Sequence, residues 1–346
     1  MSKPAEQLEK LLDNAQRILI TSHVSPDPDA VSSVLLLGTA LEKNLPNKQI
    51  KMVLEEKPAR DISFLQDYAK LQFQPLLVAT EELKPDLFII VDAMSFERVS
   101  RTAGAELRKL VLEKLTAKLV IIDHHEQLGV DKADVYINNR RPATAQEIYE
   151  LIEKLKLKMP TGYAQTTLLG IISDTARHKF DNPVHRQTYR VVSDLLDAGA
   201  SIEELENKTD RYSKPQLEVL AELIKNVADS GKGYTYSYLS DDFTRQWLAA
   251  TKSKDAFKLG VEEFTNNYLR KFADNHWGFV VYPDIAAGDK TYGVSLRAAS
   301  GVKDVAALAA KLGGGGHKAA AGAHSLKASS VEAVIKKVQA AIEAGA

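Results

Sequence analysis

The chain predicts an α/β protein: an N-terminal parallel-sheet domain with flanking helices, a helical connector and a smaller C-terminal α/β domain. Three observations predict it. Short β-rich runs alternate with longer amphipathic stretches through the first 200 residues, the pattern of a parallel sheet with crossover helices. Three of those runs end directly in polar clusters, where open parallel sheets bind ligands. The length of 346 residues exceeds one domain of roughly 100–200 residues.

In order, strands are expected at Arg17–Thr21, Gln49–Leu54, Asp86–Val91, Lys118–Ile122 and Asp134–Ile137, each an apolar or β-branched run. Helical spacing follows at Ala145–Leu155, Tyr163–Ser173 and Arg186–Asp197. The polar stretch after Gly199 leads into a helix at Leu217–Val227, giving boundaries of 1–200, 201–232 and 233–346. The last region offers strands at Tyr234–Leu239, Gly278–Tyr282 and Thr291–Arg297, with helices at Ala256–Phe272, Val302–Lys311 and Val331–Ile342.

Composition narrows the chemistry. A hydrophobic share of 45% with 26% charged residues is that of a folding chain. The net charge of −1 argues against coating long nucleic acid by bulk charge but permits a short anionic ligand. Without cysteine there are no disulfides, thiolate zinc sites, iron–sulfur clusters or cysteine nucleophiles, so any metal is held by N and O atoms. A polar start (Met1–Lys10) and the lack of a membrane-length apolar run give a cytoplasmic expectation.

Four clusters could carry function. His23-Val-Ser-Pro-Asp27-Pro-Asp29 follows the first apolar run, and Asp92 ends Leu87–Val91. Either Asp27 or Asp92 could instead cap the helix that follows. Asp123-His124-His125 leaves Leu119–Ile122, where three polar groups need partners. Asp174-Thr175 ends an apolar helical stretch, so the carboxylate opposes the helix dipole and calls for a compensating cation. Together His23, Asp27, Asp29, Asp92, His124 and Asp174 could converge on one sheet rim. Carboxylates and imidazoles without sulfur suit Mn²⁺, with Mg²⁺, Co²⁺ or Zn²⁺ as alternatives. Two ions about 3.5–4 Å apart, sharing a carboxylate and a water, would use so many ligands and suit in-line attack on phosphorus. A fifth cluster, Ser295-Leu-Arg297 with Gly313–Gly316 and His317, offers a guanidinium and a glycine nest for an anion, or else a flexible turn.

This order of motifs resembles the DHH phosphoesterase superfamily, in the branch with a C-terminal DHH-associated domain that includes bacterial bifunctional oligoribonuclease and 3′-phosphoadenosine 5′-phosphate phosphatase proteins. The resemblance covers nearly the whole chain. It implies His23 and Asp27 on one Mn²⁺, Asp29, His124 and Asp174 on the other, and Asp92 between them. His125 would lie beside the scissile phosphate and Asp123 would orient a histidine from behind, while Ser295, Arg297, Gly314, Gly315, Gly316 and His317 would clamp substrate. Phe180 could stack on a base, although an aromatic there is more often core, and His178 could contact a phosphate. Three departures stand out: Ser32-Ser33 where the family has Gly-Ser, Ala176 where it has glycine, and Arg177-His178-Lys179-Phe180 in place of an aromatic-basic-aromatic run.

The expected activity is two-metal hydrolysis of short oligoribonucleotides or 3′-phosphoadenosine 5′-phosphate, with the second domain setting a short substrate length. Cyclic or linear dinucleotide hydrolysis is the alternative enzyme reading, and a nucleotide-binding regulator without turnover is the alternative of another class. Expected partners are short RNA or a nucleotide and a second copy of the chain in a homodimer, with no membrane partner.

Overall fold

A computed structural model describes residues 3–125, 131–178, 185–209 and 211–345, with the backbone alone for His185 and His317. The chain divides into two units, Met1–Arg211 and Tyr212–Ala346.

In the first unit, α1 (Lys3–Asn14) leads to β1 (Arg17–Thr21), α2 (Pro28–Asn44) and β2 (Gln49–Leu54). After β3 (Gln72–Phe73) and α3 (Leu76–Leu83) come β4 (Leu87–Val91), α4 (Phe96–Val99), α5 (Gly104–Lys109), β5 (Lys118–Ile122) and β6 (Val135–Ile137). Helices α6 (Thr144–Lys154), α7 (Tyr163–Asp174), α8 (His185–Asp197) and α9 (Ile202–Thr209) complete it. The six strands pair in parallel in the order β3-β2-β1-β4-β5-β6. The order reverses direction between β1 and β4, and the crevice at such a switch point is where open sheets take ligands.

The central strands are buried and almost wholly apolar past an exposed first residue in β1 and β5, because both faces are covered. Ile18, Ile20, Ile89, Val91 and Ile122 join one core with α2, α6 and α7. Leu19, Phe88, Ile90 and Ile121 face the other, built on α3, α4 and α5. Each such side chain contributes about 1.5–3 kcal/mol by burial. Helix α2 is buried on every side from Asp29 to Leu41, between the sheet and α6 and α7. Its start is set by Asp27 as N-cap and Pro28 just inside.

The second unit holds α10 (Lys214–Lys225), β7 (Ala228–Asp229), β8 (Thr235–Tyr238), α11 (Asp241–Thr251), α12 (Lys254–Asn267), β9 (Trp277–Pro283) and β10 (Thr291–Ala298). It ends with α13 (Val305–Lys311), β11 (Gly315–His317), β12 (Ala320–Lys327) and α14 (Val331–Glu343). The sheet order is β11-β12-β10-β9-β8-β7, antiparallel except for β8 against β9. Alternation along β10 puts Tyr292, Val294 and Leu296 into the core with α13 and α14, and Ser295 and Arg297 on the opposite face.

Two expectations change. The stretch 201–232 supplies a helix to each unit: Leu205 of α9 is in the first core, and Val219, Leu220 and Leu223 of α10 are in the second. The glycine run is more ordered than a nest. The Gly314 N–H closes the end of α13 on Ala309 (2.8 Å), and Gly315–His317 form an edge strand on β12. A Cβ at Gly314 would meet the Gly322 carbonyl at 2.1 Å, so close strand approach demands glycine there.

Candidate metal centre

Each strand end at the switch point delivers a polar group. His23 lies two residues past β1, Asp92 directly follows β4, and Asp123-His124-His125 directly follow β5. Asp92 takes a left-handed φ of 56°, a conformation a non-glycine residue holds only where surroundings enforce it. It caps no helix, since the N-cap of α4 is Ser95. Asp27 does cap α2, through Oδ1 accepting from Ala30 N at 3.0 Å. Its other oxygen, Oδ2, lies 4.0 Å from His23 Nε2. Asp29, in the first turn of α2, accepts from Thr144 N (2.7 Å) and Ala145 N (3.0 Å) at the start of α6. Asp174 ends α7, brought close because Gly170 has no side chain: a Cβ there would sit 2.5 Å from Asp29 Oδ1.

Three donor groups result, each with atoms within 4.8 Å of one another: His23, Asp27 and Asp92; Asp29, His124 and Asp174; and Asp92, Asp123, His124 and His125. All six expected metal ligands are therefore brought together. His23 Nε2 is 3.4 Å from Asp92 Oδ2, and His124 Nε2 is 3.1 Å from Asp174 Oδ2 and 3.5 Å from Asp92 Oδ1.

The imidazoles are oriented from behind. His23 Nδ1 donates to Val24 O (2.9 Å) and His124 Nδ1 to Arg141 O (3.2 Å), which leaves each Nε2 facing the carboxylates. His125 differs: its Nδ1 donates to Asp123 Oδ1 at 2.7 Å. The same oxygen accepts from the backbone N–H of His124 and His125. Asp123 thus holds one imidazole rather than facing the carboxylate cluster through that oxygen.

The electrostatics are those of a crowd of like charges. Burial, then the charges of Asp174 and Asp92, push the Asp27 carboxyl up to about 6. The same causes hold Asp29 well above the usual carboxylate range. Burial opposes a charge on Asp92, but the hydrogen bond to His23 and the charges of His124, His23 and His125 carry it below that range. For His23, burial is outweighed by the bond to Asp92 and the charges of Asp27 and Asp92, which raise it to about 9. Burial is outweighed likewise at His124, by Asp174 first and then Asp92 and Asp29. Protons on imidazoles thus supply the positive charge the carboxylates require.

Among the described residues, buried His124 Nε2 makes no well-directed hydrogen bond despite its short approach to Asp174. An imidazole Nε2 turned toward crowded carboxylates, all N and O donors, fits divalent cations that take the place of its proton.

Sequence reasoning missed two supports. Thr144 donates its hydroxyl to Asp92 Oδ1 (2.9 Å), and the amide of Asn138 donates to the His125 carbonyl (2.7 Å). Thr144 left a faint signal as a polar residue opening an apolar helix, whereas Asn138 left none. Arg141 pairs with Glu150 at 2.7 Å in a largely buried bridge. His178 stands in a turn where Ala176, Arg177 and His178 all have positive φ, its ring 5.0 Å from that of Tyr189. Lys179 and Phe180 lie outside the described residues.

In the second unit, Ser295 Oγ is 3.2 Å from Tyr282 Oη. Arg297 donates through Nε to Asn266 Oδ1 (3.1 Å) and through Nη1 to Leu296 O (2.9 Å). Among the described residues no carboxylate lies within ion-pair distance of Arg297. Burial, with Arg270 nearby, lowers its guanidinium to about 10. The backbone of Gly315, Gly316 and His317 lies at the edge of the same sheet, beyond β12.

A doubly wound sheet with a metal-fitting carboxylate and imidazole cluster at its switch point, followed by a mixed-sheet unit, defines a two-unit α/β protein with a candidate metal centre. Residues 17–171 match the DHH family, N-terminal domain, and residues 246–344 match the DHHA1 domain. The chain thus carries a DHH domain followed by a DHHA1 domain, which supports a phosphoesterase hydrolase.

It is 27% identical over 330 residues to the bifunctional oligoribonuclease and PAP phosphatase NrnA of Thermus thermophilus, covering 94% of this chain and 89% of that one. The protein of the same name from Bacillus subtilis is 26% identical over 309 residues, 88% of each chain. The fold is shared with an exopolyphosphatase-related protein from Bacteroides fragilis, with a TM-score of 0.84, 20% identity, and 99% and 96% of the two chains covered. Among the described residues, no helix is long and apolar enough to cross a membrane.

Proposed function

We propose that this chain is a Mn²⁺-dependent phosphoesterase acting on short oligoribonucleotides and on 3′-phosphoadenosine 5′-phosphate. The observation that carries it is the convergence of six N and O donors, from four separate segments, on one strand crossing point. The full-length similarity to two proteins named oligoribonuclease and PAP phosphatase supports the substrate class.

On this reading His23 and Asp27 hold one cation, Asp29, His124 and Asp174 the other, and Asp92 serves both. Bound cations supply a water acidic enough to ionise near neutral pH and offset charge on the phosphoryl group. The chain's own residues do the rest. Asp123 holds His125 with Nδ1 protonated, so Nε2 is the atom that meets substrate and can pass a proton to the leaving oxygen. Within the second unit, Arg297 offers a bidentate contact to a substrate phosphate, and Ser295 a further hydrogen bond. Region 1–200 is then catalytic, and 233–346 binds substrate.

The test compares kcat/KM, with Mn²⁺, for di- to decaribonucleotides, 3′-phosphoadenosine 5′-phosphate and cyclic dinucleotides. Highest values on the shortest oligoribonucleotides and on the bisphosphate support the reading. Flat activity across lengths, or a clear preference for cyclic dinucleotides, contradicts it.

A further inference from the structure

The loop between His23 and Asp27 is held from outside by two side chains, Glu56 and Arg101, that take no part in the donor cluster. Ser25, midway along it, has a φ of 54°, a region sparsely populated by non-glycine residues. Something must hold it there. Glu56, just past β2, accepts through Oε2 from both Ser25 N and Ser25 Oγ, each at 3.0 Å. Arg101 closes the ring, donating Nε to Glu56 Oε1 (2.8 Å) and Nη2 to Ser25 Oγ (2.5 Å). Next to it, Val24 N donates to Arg98 O at 2.9 Å.

We infer that Glu56 is a positioning residue for the His23 and Asp27 half of the centre, and that cation affinity in that half depends on it. Ser25 is two residues from each of these side chains, so release of its left-handed turn would separate His23 Nε2 from Asp27 Oδ2. The other half has different anchors. Asp29 is held by backbone N–H groups of α6, and His124 by the Arg141 carbonyl. Loss of Glu56 therefore acts on one half alone. As a half-exposed ion pair, Glu56 and Arg101 add little to global stability, so the effect is separable from unfolding.

The inference rests on the two-cation reading, and calorimetric titration of the full chain with Mn²⁺ after chelation separates the two. Wild type is expected to show two binding steps; a single step or none sinks that reading itself. Glu56→Ala should weaken one step about 10–100-fold, the range for partners that orient ligands, and leave the other unchanged. Glu56→Gln keeps an oxygen to accept both Ser25 bonds and should recover most of the loss. Thermal unfolding should stay cooperative in both. Two unchanged steps in Glu56→Ala, or equal weakening of both, would overturn the inference while leaving the two-cation reading standing. Should Glu56→Ala fail to fold, Arg101→Ala decides by the same criteria.

Discussion

The two sheets carry opposite electrostatic problems. At the switch point of the first, carboxylates crowd so closely that Asp27 and Asp29 are held above their usual range and imidazoles are held protonated. On the second, half-buried Arg297 donates to Asn266 and to the Leu296 carbonyl, with Arg270 as a neighbouring like charge and Glu262 as an opposing one. A half-buried guanidinium keeps donors that a planar anion can pair with. The difference shows what each sheet offers: a donor cluster that fits cations at the first, and a guanidinium available to an anion under the proposed reading at the second.

Asp92→Ala should break that contrast most severely. Asp92 touches His23, His124 and Thr144. Its loss should lower kcat by more than the ~100-fold seen for outer partners of metal sites, with circular dichroism unchanged. Near-normal turnover would show that the acidic cluster is not the catalytic centre.

Arg297→Ala should come next, raising KM about 10- to 100-fold, the equivalent of a charge-assisted hydrogen bond of ~1.5–3 kcal/mol, with kcat little altered. Lysine there should restore only part, because it lacks the planar fork. A loss confined to kcat would contradict a binding role.

The contrast also has a pH signature. His23, raised to about 9, binds its proton more tightly folded than unfolded, so its stabilisation is complete below pH ~6.5 and lost as pH rises through about 9. Asp27, raised to about 6, acts with the same sign at lower pH: its contribution is lost as pH rises from ~4 through about 6. The lowered Asp92 titrates below both windows. Chelated protein should therefore lose Tm between pH 6.5 and 9, and added Mn²⁺ should reverse the loss by replacing protons. A rising Tm in chelated protein over that interval would contradict the assigned electrostatics.

Smallest is Ala176→Gly. Ala176 has a φ of 46°, which costs a residue with a Cβ ~1–2 kcal/mol. Glycine should raise stability by up to about 1 kcal/mol, offset in part by its greater unfolded-chain freedom, measured as a higher denaturation midpoint. A lower midpoint would mean that the alanine methyl packs usefully.

Much of the first unit was legible because its order is local. The runs at Arg17–Thr21, Gln49–Leu54 and Lys118–Ile122 are strands with those same ends, since each is a largely apolar run bounded by polar residues. The short β3 and the small-residue strands β11 and β12 were not legible, because Gln72-Phe73 and Gly315–His317 carry no alternating pattern. Helix α11 was also passed over, although Ser240 caps it.

In the centre, the residues that face one another were readable as residue types at strand ends. The groups that hold them were not. Thr144, Gly170, Glu56 and Arg101 act across tens of residues, and such contacts leave no periodicity. Ala176 was legible only as a departure from glycine, and its positive φ supplies the physical meaning of that departure.

The most direct test is anomalous diffraction at the manganese edge from crystals of the full chain soaked in Mn²⁺. Two peaks are expected, one against His23 and Asp27, one against Asp29, His124 and Asp174, with Asp92 touching both. No peak there, or manganese bound only elsewhere on the molecule, would contradict the claim that this cluster is a paired cation site.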